Sequence, residues 1–108
     1  MAGIDATEAQ VQAACLDYLA MKGYFFFRLN NMPIFNKAEN TFRRLPKYTP
    51  KGLPDTIVIK EGHFIGLEFK RKGTKLSPEQ IKCAQGILHA GGSHHTVRSI
   101  DDLQKIGL

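Results

Sequence analysis

The stretch G-L-P-D-T-I-V-I-K-E-G-H-F-I-G-L-E-F-K-R-K-G-T-K-L-S-P-E-Q, residues 52–80, decides how the chain is read. Two apolar runs meet at Glu61-Gly62-His63, a Gly-containing turn, so the segment reads as a β-hairpin. Asp55 stands at the entrance of the first strand, and Glu68 and Lys70 stand near the exit of the second. Side chains alternate along a strand, so Glu68 and Lys70 share one face while Ile65, Leu67 and Phe69 share the other. The hairpin can bring the Asp55 carboxylate beside them. Two acids with a lysine at strand ends suit a hard divalent cation and a phosphate ester. Gly52-Leu53-Pro54 makes a turn that sets a side chain at the start of a strand. Gly66, on the Glu68 face, leaves room for a metal or a backbone to approach.

Around this hairpin the composition is that of one ordinary globular domain. At 108 residues there is enough chain for a single two- or three-layer core and not for two. A hydrophobic fraction of 43% with 23% charged residues excludes a disordered polar chain. The net charge of +5 favours an anionic partner. Cys15 and Cys83 form no C-x-x-C pair and read as small buried residues of a reducing compartment. The first residues carry no basic segment followed by an apolar run, and nothing approaches the roughly 20 apolar residues of a membrane span. The expectation is a soluble, cytoplasmic protein.

Upstream, residues 7–22 read as a helix. Thr7 and Gln10 fit a capping box, Val11, Ala14, Cys15, Tyr18 and Leu19 recur at the helical period, and Gly23 is placed to end it. Glu8 has two readings here: a first-turn acid favoured by the helix dipole, or an acid aimed inward at the hairpin cluster. Tyr24-Phe25-Phe26-Phe27-Arg28-Leu29 reads as a core strand covered on both faces. Base-stacking surfaces usually interleave aromatic with polar residues, so that reading ranks second.

Residues 30–51 are irregular, with Pro33, Pro46 and Pro50, and with Lys37, Arg43, Arg44, Lys47 and Lys51 against the single acid Glu39. Loops this long in a compact domain usually carry function, and five cations with Phe42 and Tyr48 among them suit a phosphate backbone. A short hairpin around Ala38-Glu39-Asn40 would fit, and a solvated loop without function would fit as well.

Downstream of the hairpin, Arg71-Lys72-Gly73-Thr74-Lys75 is a basic turn suited to phosphates. Ser77-Pro78-Glu79-Gln80 starts a helix, with Ser as cap, Pro at the first position and Gln80 at the third. Ile81, Ala84, Ile87 and Leu88 make its apolar side, and Gly91-Gly92 stop it. Residues 94–98 read as a last strand, and Ser99-Ile100-Asp101-Asp102 opens a short final helix. The order α-β-loop-β-β-α-β-α implies a crossover and a mixed sheet with helices on its faces.

Other chemistries lack support. His94 and His95 are adjacent and face opposite ways on a strand, so they read as satisfied core or surface histidines and not as a zinc site. His63 and His89 have no ligand partners at metal spacing. Neither G-x-x-x-x-G-K-[ST] nor G-x-G-x-x-G occurs, which argues against a nucleotide-driven motor.

Taken together, G-L-P-D at 52–55, G-H-F-I-G-L-E-F-K-R at 62–71, L-S-P-E-Q at 76–80 and the late G-G…V-R-S-I-D-D-L resemble the VRR-NUC (virus-type replication-repair nuclease) domain of the PD-(D/E)xK nuclease superfamily. The resemblance runs from residue 7 to 103, with no firm match over the basic loop at 31–51. It implies an α/β PD-(D/E)xK core in which Glu8, Asp55, Glu68 and the Phe69 backbone carbonyl hold Mg²⁺ or Mn²⁺. Lys70 would be the catalytic lysine, and Gln80 would complete the active site. By the same resemblance Glu8 takes its inward reading. The activity implied is metal-dependent endonucleolytic hydrolysis of DNA, leaving 5′-phosphate and 3′-hydroxyl ends. Single-domain members resemble Holliday junction resolvases, so a homodimer acting on branched DNA is expected, with phosphate contacts from Arg43, Arg44, Lys47, Lys51, Arg71, Lys72 and Lys75. A phage or prophage origin would suit the family's character. Alternatives are a less selective nickase, a restriction-type nuclease, or a nucleic-acid-binding module without catalysis.

Overall fold

The computed structural model describes residues 5–29, 35–36, 41–42 and 46–108, with backbone alone for 35–36 and 41–42. Helix α1, Glu8–Met21, begins with the expected capping box: the Thr7 hydroxyl accepts from the Gln10 amide, and the Gln10 side chain accepts from the Thr7 amide. Val11, Cys15 and Leu19, four residues apart, form its buried stripe. Ala14, expected on that stripe, is exposed, because it lies about 100° around the helix from Cys15.

Strand β1 (Phe25–Arg28) pairs antiparallel with β4 (Thr56–Lys60), which pairs antiparallel with β5 (His63–Phe69). Helix α2 (Pro78–His89) crosses over to β6 (Ser93–Val97), which lies parallel to β5, and α3 (Ile100–Lys105) follows. The sheet order β1-β4-β5-β6 is therefore mixed and flanked by helices, as expected. Strands β2 (Phe35–Asn36) and β3 (Thr41–Phe42) pair as a separate two-stranded ribbon, so the loop does contain the short hairpin. Glu61 and Gly62, at φ 52° and 76°, make the tight β4–β5 turn, and His63 already belongs to β5.

One sheet face carries the core: Val58, Ile65, Leu67, Phe69 and Val97 pack with Val11, Cys15 and Leu19 of α1 and with Leu103 and Leu108. The Tyr18 and Tyr24 hydroxyls both donate to the Leu108 carbonyl, at 2.9 and 3.0 Å, which fastens the segment after α3 to α1 and to the start of β1. The other face carries Phe25, Phe27, Ile57, Ile59, Phe64, Gly66 and Glu68, by register.

Three expectations are corrected here. The aromatic strand is not covered on both faces: β1 sits at the sheet edge, and Phe25 and Phe27 are 69% and 41% exposed. Ile81 and Leu88 are exposed, because α2 rests over β6, itself an edge strand, and part of its apolar side stays uncovered. Cys15 is buried, and burial, with Asp102 nearby, pushes its thiol up to about 11. Cys83 is only half-buried, in the wall of an apolar groove of about 700 Å³ that Leu53, Phe64 and Ile87 also line. Among the described residues no helix is long and apolar enough to cross a membrane.

Candidate active site

Extending the β4–β5 register one step beyond the Thr56 and Leu67 pair sets Asp55 opposite Glu68, at the end of the sheet. Asp55 Oδ2 accepts a 2.8 Å hydrogen bond from the Phe69 amide, which fixes the carboxylate against β5. The preceding turn explains why it arrives there. Gly52 has φ +75°, and a Cβ at that position would come within 2.5 Å of the Gln80 amide nitrogen. Only glycine lets the turn lie on the first turn of α2. Pro54 then lays its ring over Gly66, where a Cβ would stand 2.8 Å from Pro54 Cγ. The space at Gly66, expected for a metal or a backbone, is filled by this ring and by His94.

Glu68 is 3% exposed. Its Oε1 accepts from Gln80 Nε2 at 2.9 Å, and its Oε2 is buried with no hydrogen-bond partner. Gln80 meanwhile completes the α2 capping box, since its Oε1 accepts from the Ser77 amide at 2.8 Å. One side chain therefore ends a helix and holds a carboxyl group. Burial, foremost, pushes the Glu68 carboxyl up to about 8. The negative charge of Asp55 adds to this, as does that of Glu8, while Lys70 opposes it. A buried acid beside a second acid is a centre of unbalanced negative potential.

Lys70 follows β5, with its amide bonded to the Val97 carbonyl. Its Nζ is 4.0 Å from Glu8 Oε1, and their side chains are 15% and 53% exposed. The first turn of α1 thus sets Glu8, itself exposed, at the rim of the cluster. The structure brings Glu8, Asp55, Glu68, Lys70 and Gln80 to one end of the sheet. Among the described residues no three His, Cys, Asp or Glu side chains converge as a metal-binding group. Two carboxylates suffice for Mg²⁺, which keeps several waters. The unpartnered Glu68 Oε2 beside Asp55 is the feature that fits such a cation.

Of the cations expected to meet phosphates, Lys47, Lys51, Arg71, Lys72 and Lys75 are exposed, and Lys47 lies over the Tyr48 ring at 5.0 Å. Arg43 and Arg44 lie outside the described residues. Two neighbours of the site carried no assigned role in the sequence. His94, expected to be satisfied, has a buried Nε2 without a partner, and burial, with His95 beyond it, lowers its pKa while Asp55 opposes. Alternation puts His94 on the Glu68 face, but its place opposite Gly66 required the parallel β5–β6 register. Arg98 follows β6 and donates from Nη2 to the Thr74 carbonyl at 2.7 Å.

No family model matches the chain, and no curated protein matches it. A solved structure titled "VRR_NUC domain" does: the two superpose with a TM-score of 0.64 over 94% of this chain and 95% of the other, at 23% sequence identity. The fold of this chain, a mixed four-stranded sheet flanked by helices, is that of a VRR-NUC domain.

Proposed function

We propose that the chain is a divalent-metal-dependent DNA endonuclease, with Mg²⁺ or Mn²⁺ held by Asp55 and Glu68 and with Glu8 and the Phe69 backbone carbonyl nearby. The observation that carries this reading is the buried, unpartnered Oε2 of Glu68 facing a cluster that already holds Asp55. A buried carboxyl crowded against a second acid, with one oxygen unpartnered, is costly to the free protein, which is understandable where a cation completes it. The VRR-NUC fold and the net charge of +5 support a nucleic-acid substrate.

When bound, the cation would supply Lewis acidity and a more acidic water. The chain's own groups do the rest. Lys70 offsets negative charge on the approaching phosphate and orients the attacking water, working beside Glu8. Gln80 keeps Glu68 in one rotamer. The reaction is in-line hydrolysis that leaves a 5′-phosphate and a 3′-hydroxyl. Exposed cations at 47, 51, 71, 72 and 75 would contact phosphates and so respond to DNA shape more than to base sequence. Branched DNA cut by a homodimer is the substrate and assembly we favour, since a two-fold junction calls for two related sites. The exposed Phe25 and Phe27 on an edge strand are the kind of surface a second copy covers.

The test is cleavage of a labelled four-way junction and a matched linear duplex with Mg²⁺, Mn²⁺ or EDTA, alongside Asp55→Asn and Lys70→Ala. Paired nicks near the branch, lost with EDTA and with either substitution, are expected. Equal cutting of both substrates would remove the branch preference. Binding without cleavage in either metal would overturn the enzyme.

A further inference from the structure

Arg98 is a cation at this end of the sheet whose guanidinium, among the described residues, has no carboxylate within ion-pair distance. The parallel register pairs Phe69 with Val97, so the next step sets Arg98 alongside Lys70. Its amide donates to Asp102 Oδ2 at 2.8 Å, which fixes the main chain from the first turn of α3. Its guanidinium reaches the basic turn at 71–75 and donates to the Thr74 carbonyl at 2.7 Å, while Nη1 is buried with no partner.

The turn it grips closes on itself: the Thr74 amide and hydroxyl both donate to the Arg71 carbonyl, and Gly73 turns the chain at φ +85°. Its side chains Arg71, Lys72 and Lys75 are exposed. A neutral donor could have tied such a turn down. A fourth cation in its place raises the mutual repulsion of the free protein, and a polyanion bound at the turn relieves that repulsion. We propose that Arg98 is a positioning residue for the nucleic-acid backbone. Through Thr74 it holds the basic turn in the conformation that meets substrate phosphates beside Asp55, Glu68 and Lys70. The inference rests on the nuclease reading above and names how that site holds its substrate.

The experiment is binding of a labelled four-way junction in EDTA, which needs no catalysis, read as a double-mutant cycle. The proteins are the parent, Arg98→Met, Lys72→Ala and the double variant, with Lys47→Ala as a cation outside the turn. Loss of a charged hydrogen bond predicts that Arg98→Met weakens binding about tenfold. Lys72→Ala should weaken the parent but add little to Arg98→Met, whereas Lys47→Ala should act independently in both. Arg98→Lys, which keeps a cationic donor, should recover part of the loss. It replaces Arg98→Met in the cycle if that variant fails to fold. The dependence of binding on salt should flatten by more than the roughly 0.9 per phosphate contact expected from one missing cation. Independent effects of Arg98 and Lys72, or unchanged binding in Arg98→Met, overturn the positioning role alone. A parent that does not bind DNA overturns the nuclease reading itself.

Discussion

Gln80 Nε2 donates to Glu68 Oε1 at 2.9 Å while Gln80 Oε1 accepts from the Ser77 amide at 2.8 Å, so the group that caps α2 also orients the buried acid. The two bonds use the two ends of one amide, a donor and an acceptor that only Asn and Gln side chains combine in this way, and Gln has the longer reach. Gln80→Ala should lose the reciprocal cap, at about 1 kcal/mol by the usual cost of such a group, and leave Glu68 free to turn. Gln80→Glu keeps the acceptor for Ser77 but sets a third acid against Glu68. Both should lower cleavage by about 10- to 100-fold, the range for groups that orient a metal ligand. Thermal unfolding separates the two effects. Gln80→Ala should lose stability at every pH, and Gln80→Glu mainly where both acids are ionised.

The turn before Asp55 makes a sharper stability prediction. Gly52 and Gly62 both have positive φ, 75° and 76°, but a Cβ at Gly52 meets the α2 backbone and a Cβ at Gly62 meets nothing. Gly62→Ala should cost about 1 kcal/mol, the strain of an L-residue in that conformation. Gly52→Ala adds a clash with main chain that cannot rotate away, and should cost about 2–4 kcal/mol in urea unfolding. Equal losses would mean that the 50–54 segment does not rest on α2 as described.

These two glycines show what could be read in the residues and what could not. The hairpin, the capping boxes at Thr7 and Ser77, and the shared face of Glu68 and Lys70 are local, fixed by strand alternation and by cap chemistry within four residues. Asp55 opposite Glu68 was legible for the same reason, since a tight turn sets the register of both strands. Contacts across the fold were not. The clash at Gly52 belongs to α2, about thirty residues later in the chain. The ring that fills Gly66 comes from Pro54, and Arg98 reaches Thr74 across a crossover. The aromatic run of β1 is as apolar as a central strand, and only the order β1-β4-β5-β6 shows it to be an edge.

Glu8 and Lys70 should separate stability from chemistry. Their contact is long, at 4.0 Å, and Glu8 is 53% exposed, so the ion pair contributes little to folding. Glu8→Gln should shift the unfolding free energy by no more than about 0.5 kcal/mol. Lys70→Met keeps much of the length without the charge and should retain the fold. Under the proposed mechanism it lowers turnover by about 10²- to 10³-fold, as for loss of one charge-stabilising group. DNA binding in EDTA should change far less than turnover. A parallel fall in binding and turnover would make Lys70 a phosphate contact and not a participant in the step.

The raised pKa of Glu68 ties stability to pH in a direction opposite to that of a salt-bridged acid. Its carboxyl is pushed from 4.5 to about 8, chiefly by burial and then by Asp55. The folded chain therefore holds this proton more tightly than the unfolded chain does. The stability this proton confers is complete below pH 4.5 and is lost as pH rises to about 8. Above it the loss levels off. Glu68→Gln mimics the protonated acid: it can still accept from Gln80 and can offer an N–H toward Asp55. Without divalent ions, Glu68→Gln should be more stable than the parent at pH 8 and should lose that advantage near pH 4.5, by thermal unfolding. Adding Mg²⁺ or Mn²⁺ should stabilise the parent more at pH 8 than at pH 5.5, because the ion competes with the proton for the same carboxyl, and should leave Glu68→Gln nearly unmoved. A parent that gains the same protection at both pH values would place the ion away from Glu68. A Glu68→Gln protein less stable than the parent at pH 8 would mean that the carboxyl is ionised and satisfied in the free protein.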